Sequence, residues 1–499
     1  MDLTNIYTSL PADLVATFSM VLVALVALAL VVWDAFRNNA PGIPWAGVAA
    51  LGAAIVWELF ALGDAPGTAW YGMVRTGGFA AFVNIVVLIG ALLSIILSVP
   101  YLREIRHAHG EVYAIILFAT VGMMLLGTAN NLVAVFVGLE TMSISLYILT
   151  GLVREDEGAT ESALKYFLLG AFSTGFFLYG IALLYGATGT MDLARMSEGL
   201  AAGENLVMFW AGVGLLLVGF LFKVSAAPFH MWTPDVYQGA PTTLTAYMST
   251  ATKAATFASL ILVLYAALPP ERWTMVLAVI AVLTMVVGNV LAIAQQNVKR
   301  MLAYSSIAHA GYVLVGLAAG TPAGYAGALF YLLVYSIMNI GAFGVMALLE
   351  WDGKEGQMQT LNSLAGIGPR KPLLGATMVV FMFALVGFPP LAGFWGKVAV
   401  FAPAVEAGLT WLVIVGVLAS AVSAYYYLRV LYVFWMRSPE DEPEAAAVQD
   451  RVFAVPVTSA AVLIVCVVLL LYFGVRPGGI LETTASFFAG PGASMALLP

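Results

Sequence analysis

Apolar runs of about twenty residues recur along nearly the whole chain, and about twenty apolar residues in a helix cross the hydrocarbon core of a bilayer. On that rule the sequence holds about fourteen spans. They lie at roughly 14–33, 43–62, 77–99, 112–128, 131–152, 162–186, 206–236, 241–267, 273–294, 299–319, 323–349, 372–404, 408–435 and 452–474. The expected fold class is an all-α polytopic membrane protein, because lipid offers backbone N–H and C=O groups no partners and these runs are too long for barrel strands. No polar segment is large enough for a soluble domain, the longest being 350–371 and 437–451.

Composition excludes several function classes. Only 9% of the 499 residues are charged and mean hydropathy is +0.97, where soluble domains carry roughly 25% charged residues. No basic patch marks a nucleic-acid partner. The single cysteine, Cys466, can form no internal disulfide and hold no iron–sulfur cluster. His107, His109, His230 and His309 show no metal or haem spacing, and no glycine-rich phosphate loop opens a predicted helix. The expectation is therefore no cofactor in this chain. The opening MDLTNIYTSLPADL has no basic residue, so the first run is expected to be a retained span rather than a secretory signal.

Orientation follows from the positive-inside rule. With both termini outside, the inner loops carry Arg37, Arg103, Arg106, Arg154, Lys299, Arg300, Lys354, Arg370, Lys371, Arg437 and Arg451. The outer loops then hold only Arg75, Arg195, Arg272 and Arg476.

Within the spans, Phe220 to Ala255 reads FLFKVSAAPFHMWTPDVYQGAPTTLTAYMSTATKAA. Pro228 breaks its first helix, and a broken ladder at membrane depth is tolerated where it is buried in protein or lines a cavity. An ionisable residue at the centre of a span costs about 2.5–3.5 kcal/mol on insertion scales, which makes it a functional candidate by default. Glu140 in span 5 is the natural partner of Lys223 in span 7. Burial and a nearby opposite charge move a lysine's proton affinity in opposite directions. Such a pair reads either as a proton switch or as a static ion pair. Lys253, about halfway along span 8, and Lys165 in span 6 have no obvious local counter-ion. Lys253 reads as a relay or as a packing charge, and Lys165 as a functional charge or a residue snorkelling to the interface. Lys397, after a second break at Pro389–Pro390, is the candidate far end of a lateral pathway.

Other polar residues carry weaker signals. His309, near Tyr304, Ser305 and Ser306, reads equally as structural or as lining a wet path, and His230 beside the first break is similar. Asp235 reads as a cap or turn anchor, Glu58 as a pairing at a subunit interface, Arg429 as snorkelling, and His107 and His109 as solvated loop residues. Aromatic and methionine stripes read as lipid-facing or core packing.

An internal repeat is visible. ALKYFLL from Ala163 resembles ALFYLLV from Ala328, and the two breaks recur at nearly the same offset. An odd number of spans separates the copies, so they run in opposite senses across the membrane. Inverted repeats with discontinuous helices are a recurring architecture of ion-coupled transporters. The expected organisation is 1–111 for spans 1–3, 112–267 for the first repeat, 268–435 for the second, and 436–499 for a loop and the last span.

The stretch PFHMWTPDVYQGAPTTLTAYMSTATKAA resembles the antiporter-like subunits of respiratory complex I, NADH:quinone oxidoreductase, which are related to Mrp-type sodium/proton antiporter subunits. The resemblance covers nearly the whole chain. DVYQGAPT with its following lysine, VKRMLAYSSIAHAGY and GFPPLAGFWGKVAVF resemble the N branch of the bacterial family. The resemblance implies a translocase subunit of the bacterial inner membrane without a redox centre. Its partners would be an adjacent antiporter-like subunit, small membrane subunits and lipids, with NADH and quinone bound by other subunits. It implies that Glu140 pairs with Lys223, that Lys253 links two half-channels, that Lys397 leads towards the exit, and that Lys165 modulates the Glu140–Lys223 pair. The alternatives are an Mrp-type antiporter subunit, a membrane-bound hydrogenase subunit, or a structural subunit whose charges only hold helices together.

Overall fold

The computed structural model describes residues 3–201, 205–350, 359–446 and 455–489. Thirteen of its helices are long and apolar enough to cross a membrane. Spans 1 to 7 are Phe18–Phe36, Ile43–Ala61, Gly78–Glu104, Gly110–Thr128, Leu132–Thr150, Glu157–Thr188 and Leu206–Lys223. Spans 8 to 11 are Thr242–Ala267, Pro270–Ile293, Val298–Ala318 and Pro322–Leu349. Spans 13 and 14 are Thr410–Met436 and Val457–Val475. Span 12 is made of two halves, Pro372–Val386 and Ala392–Glu406. At 1.5 Å per residue each half is roughly 22 Å long, too short to cross alone. The preceding Asn362–Arg370 segment meets Pro372–Val386 at 114°, so it turns away rather than extending the span.

These boundaries follow from local chemistry. Asn131, Asp156, Asn297 and Thr321 each precede a span and accept from a backbone N–H of its first turn, the role of a short polar N-cap. Gly189 ends span 6 at φ +68°, a conformation that favours glycine. Three features lie outside the sequence reading. Leu3–Ala16 is a separate helix before span 1, residues 67–76 form a two-stranded hairpin between spans 2 and 3, and Leu193–Ala201 is a short helix before span 7.

Spans 10 and 11 are wholly buried and span 8 nearly so, whereas span 1 is mostly exposed. The neighbour scheme repeats along the chain. Span 4 packs on 5 and on 8, and span 6 on 7; in the later half span 9 packs on 10 and on 13, and span 11 on the first half of 12.

Both breaks are internally satisfied. After Lys223 the chain reverses through Ser225 at φ +65°. There Trp232 Nε1 donates to the Phe222 carbonyl (2.9 Å), and Ala227 N to Thr284 Oγ1 (3.0 Å). In span 12 the turn is made by Gly387 at φ +87°, where a Cβ would also press on the Lys397 side chain at 3.0 Å.

One buried ion pair ties four spans at the end of the bundle that carries Arg300. Lys299 and Glu350, 2% and 4% exposed, lie 3.3 Å apart. The Glu350 carboxylate also accepts from Tyr101 of span 3 (3.0 Å) and from Thr242 of span 8, while Lys299 donates to the Ala240 carbonyl (2.9 Å). The sequence reading placed Lys299 in a solvated inner loop and Glu350 in a polar stretch, and the structure corrects both. Lys354 and Arg451, counted in the charge bias, lie outside the described residues.

Removing one partner of a buried pair strands the other charge, at a cost of about 3–5 kcal/mol. Glu350→Gln is therefore expected to lower the thermal unfolding temperature of the detergent-purified chain markedly. The Lys299→Met/Glu350→Met double variant is expected to recover part of that loss.

Candidate functional site

Lys223 is the last residue of its helix, where unsatisfied carbonyls favour a cation. It is 2% exposed, donates to Tyr147 Oη at 3.3 Å, and lies over the rings of Tyr147 (5.2 Å) and Tyr166 (5.5 Å). Glu140 does not touch it. Its carboxylate accepts from Thr174 of span 6 at 2.8 Å, and among the described residues Lys223, Lys253 and Lys397 make none of the ion pairs. The expected direct Glu140–Lys223 pair is thus replaced by a spaced one. Glu140, Ser143 and Tyr147 follow one face of span 5 at i, i+3 and i+7, and of the three it is Tyr147 that meets Lys223.

Lys165 does have counter-ions. It is 42% exposed and binds Glu161 (2.6 Å) and Asp235 (2.7 Å), and Asp235 also binds Arg300 (2.6 Å). Asp235 is a bridge between spans 6 and 10 rather than a cap. These groups line an open cavity of about 340 Å³ at the Arg300 end.

From the first break, aromatic rings lead inward. Tyr166 stacks on Trp232 at 4.5 Å, and Trp232 meets Tyr237 at 6.0 Å. Lys253, 1% exposed, donates to the carbonyl and the hydroxyl of Ser306 (2.6 and 2.5 Å). Tyr335 donates to Ser306 Oγ at 2.7 Å. His309 lies one turn further along the same face of span 10. Its Nδ1 bonds the Tyr331 hydroxyl (2.7 Å) and its Nε2 the Tyr427 hydroxyl (3.1 Å), which also bonds Ser305. His309 also packs on Tyr335 at 5.2 Å, whose ring lies 5.9 Å from the Lys253 ammonium. One more turn brings Tyr312, whose ring packs on His309 at 5.5 Å and under the Lys397 ammonium at 4.9 Å.

Lys397 completes the series. It comes from the second half of span 12 and donates back to the carbonyls that the break frees at the end of the first half. These are Val386 O (2.6 Å) and Leu385 O (3.3 Å), and Ser420 Oγ of span 13 is a third partner at 2.5 Å. Both breaks therefore hold a lysine at the carboxyl end of a half-helix, the end that favours positive charge.

The remaining candidates lie off this line. His230 sits in the first break with Nδ1 unpartnered, its carbonyl accepting from Thr233 N at 3.0 Å. Glu58 is 5% exposed and accepts from Ser19 and Asn84 within the chain. Arg429 reaches Gln296 at 2.9 Å and the Ile293 carbonyl at 3.4 Å, as snorkelling requires. His107 lies 3.7 Å from Glu155. Tyrosines 147, 237, 312, 331, 335 and 427 were read as packing, and their hydroxyls and rings instead link the ionisable groups. Among the described residues no group of three or more His, Cys, Asp or Glu is placed to hold a metal ion.

Asp235 and its partners are partly solvated, and such pairs contribute up to about 1 kcal/mol each. Asp235→Asn is expected to shift the unfolding temperature far less than Glu350→Gln, measured in the same detergent.

Comparison with known proteins places this geometry. Residues 129–423 match the family described as NADH:quinone oxidoreductase/Mrp antiporter, TM. The NADH-quinone oxidoreductase subunit N of Salinibacter ruber is 64% identical and the alignment covers 98% of each chain. A chain of respiratory complex I from Thermus thermophilus superposes with a TM-score of 0.80 at 37% identity, covering 94% of this chain and 99% of that one. A chain of the Mrp complex from Dietzia superposes with a TM-score of 0.85 over 95% and 97% of the two chains, but at 21% identity it speaks to the fold alone.

Proposed function

Since this chain belongs to the NADH:quinone oxidoreductase/Mrp antiporter membrane family, and closely resembles its subunit N members, we propose that it is a proton-translocating membrane subunit of complex I. It acts with the other membrane subunits of that assembly, and the energy of quinone reduction reaches it from them. The setting is the bacterial inner membrane, with both termini outside. The two inverted repeats, 112–267 and 268–435, each supply half of the path, as the recurring neighbour scheme supports.

The observation that carries this reading is a series of buried polar and aromatic side chains lying between the two broken helices. Lys223, Tyr166, Trp232 and Tyr237 are in ring contact, Lys253 and Tyr335 share Ser306 by hydrogen bonds, Tyr335 packs on His309, and Tyr312 packs on His309 and under Lys397. Protons enter by the cavity at Lys165 and Asp235, pass the Glu140–Tyr147–Lys223 face, and cross to Lys397. Lys253 and Lys397 are bonded by neutral groups alone, so neither charge is locked by an acid. A lysine so held can give up and regain its proton when a neighbour's charge changes. The titrations are coupled, so the series and not any single residue owns the apparent values. Trp232 and the ring contacts carry no proton themselves. The unpartnered hydroxyls of Tyr166 and Thr252 mark where hydration joins the segments.

The test uses inside-out vesicles bearing the whole complex. Lys223→Ala and Lys253→Met are each expected to lower NADH:quinone turnover and the pH gradient together, by about tenfold, the effect of about 1.4 kcal/mol on the coupled step. Wild-type turnover and gradient in both variants, with assembly intact, would make the charges structural and overturn the reading. His309→Gln keeps hydrogen bonding but cannot carry a proton, and is expected to impair pumping more than Tyr331→Phe, compared in the same vesicles.

A further inference from the structure

The first three spans take no part in this line, yet they hold a buried carboxylate in a cavity. The cavity encloses about 840 Å³ between Leu3–Ala16 and spans 1–3, at the end of the bundle that carries Arg75. Glu58 lies three residues before the end of span 2, so about 5 Å from that helix end, and Asn84 lies about 9 Å into span 3. Both are at the depth of a lipid headgroup rather than of the hydrocarbon centre.

The polar groups are arranged to accept. Ser19 donates to Glu58 Oε1, and Asn84 Nδ2 donates to the same oxygen at 2.8 Å. That donation fixes the Asn84 amide, because a flip would set two acceptors against each other. It leaves Asn84 Oδ1 without a partner although the residue is only 6% exposed. Glu58 Oε2 is a second acceptor beside it. A buried polar atom without a partner is costly, and native structures seldom leave one unmatched. What would satisfy these atoms is a donor with several N–H groups and a positive charge.

Arg75 also lines the cavity. Its Nε is held by Asn130 Oδ1 at 2.9 Å, and Asn130 is itself fixed to the Gly72 carbonyl at 3.0 Å. The terminal nitrogens of the guanidinium remain for an anionic oxygen, which the planar fork binds well. Asp64 also lines the cavity, so two carboxylates face one guanidinium. That balance disfavours a ligand with net negative charge. The remaining wall is apolar, with Val15, Met20, Trp57 and Phe60, and Phe60 is 80% exposed on the outer surface of span 2.

We propose that this cavity binds a phospholipid with a primary-amine headgroup, its ammonium on Glu58 and Asn84, its phosphate on Arg75, and its chains along span 2. A quaternary ammonium has the charge but no N–H to offer Asn84 Oδ1, and an anionic headgroup meets Glu58 and Asp64.

The experiment measures lipid retention by the full-length wild-type chain, by native mass spectrometry after exchange into detergent with defined lipids. The probes are dioleoyl phosphatidylethanolamine, its N-methyl and N,N-dimethyl forms, phosphatidylcholine and phosphatidylglycerol. Retention is expected to fall stepwise as methyl groups replace N–H donors, by roughly tenfold overall, the scale of one charge-assisted hydrogen bond. Phosphatidylglycerol is expected to be retained no better than phosphatidylcholine. A flat methylation series, preference for phosphatidylglycerol, or no retained lipid would overturn the proposal. Glu58→Gln and, should it fold poorly, Asn84→Leu are expected to reduce retention of the ethanolamine lipid to the choline level. Unchanged retention in a folded variant would equally overturn it. Proton pumping is not the readout, so the outcome is independent of the reading above.

Discussion

An ammonium in the interior of a membrane protein must find oxygen partners, and in this chain the partners come from helices that are deliberately incomplete. A continuous helix spends its carbonyls on its own ladder. Breaking it at Pro228 or at Pro389–Pro390 releases those of the last turn and aims them into the protein. Lys397 uses this directly, taking the Leu385 and Val386 carbonyls from the half-helix that precedes its own. Lys223 occupies the same position from within, as the terminal residue of its half-helix. The same constraint explains Gly387. The turn needs a positive φ, and the Lys397 chain passes where a Cβ would stand.

Charges divide into two kinds by what faces them. At the Arg300 end, cations are matched with acids: Lys299 with Glu350, and Lys165 and Arg300 with Asp235. These hold span ends in register. Further in, Lys223, Lys253 and Lys397 meet hydroxyls, rings and carbonyls. Neutral partners stabilise the charged form enough to keep it in the bundle, but by less than a carboxylate would.

Much of the fold could be read in the sequence because membrane spans are the strongest one-dimensional signal a chain carries. The apolar runs located nearly every span, and the prolines located both breaks. The lysines 223, 253 and 397 stood out because charge is so rare in such runs. Contacts were harder. Whether Glu140 touches Lys223 depends on how spans 5 and 7 are rotated about their axes, and the rotation sets Tyr147 against Lys223 and Glu140 against Thr174. Lys299 and Glu350 were read as loop residues because each sits at a span boundary, where hydropathy cannot separate an exposed charge from one buried against a neighbouring helix. The tyrosines were read as packing because a ring's hydrophobic face dominates any pattern, while its hydroxyl matters only once the opposing residue is known. Glu58 had an acid's signal and no visible partner, since Ser19 and Asn84 are unremarkable in sequence.

A path built from charges alone would fail for a physical reason. Two acids and a lysine in mutual contact form a deep electrostatic well, and a proton that enters it stays. Hydroxyls and imidazole both donate and accept, so they can pass a proton without holding a charge at rest. His309 is the clearest instance. Both of its ring nitrogens bond tyrosine hydroxyls, it bonds no carboxylate among the described residues, and its ring packs on Tyr335, which lies under Lys253, and on Tyr312, which lies under Lys397. With both lysines charged, a protonated imidazole between them is repelled by each. In the path proposed above, release of a proton by either lysine lowers that repulsion and opens the imidazole as a station, so occupancy of the middle follows the state of the two ends.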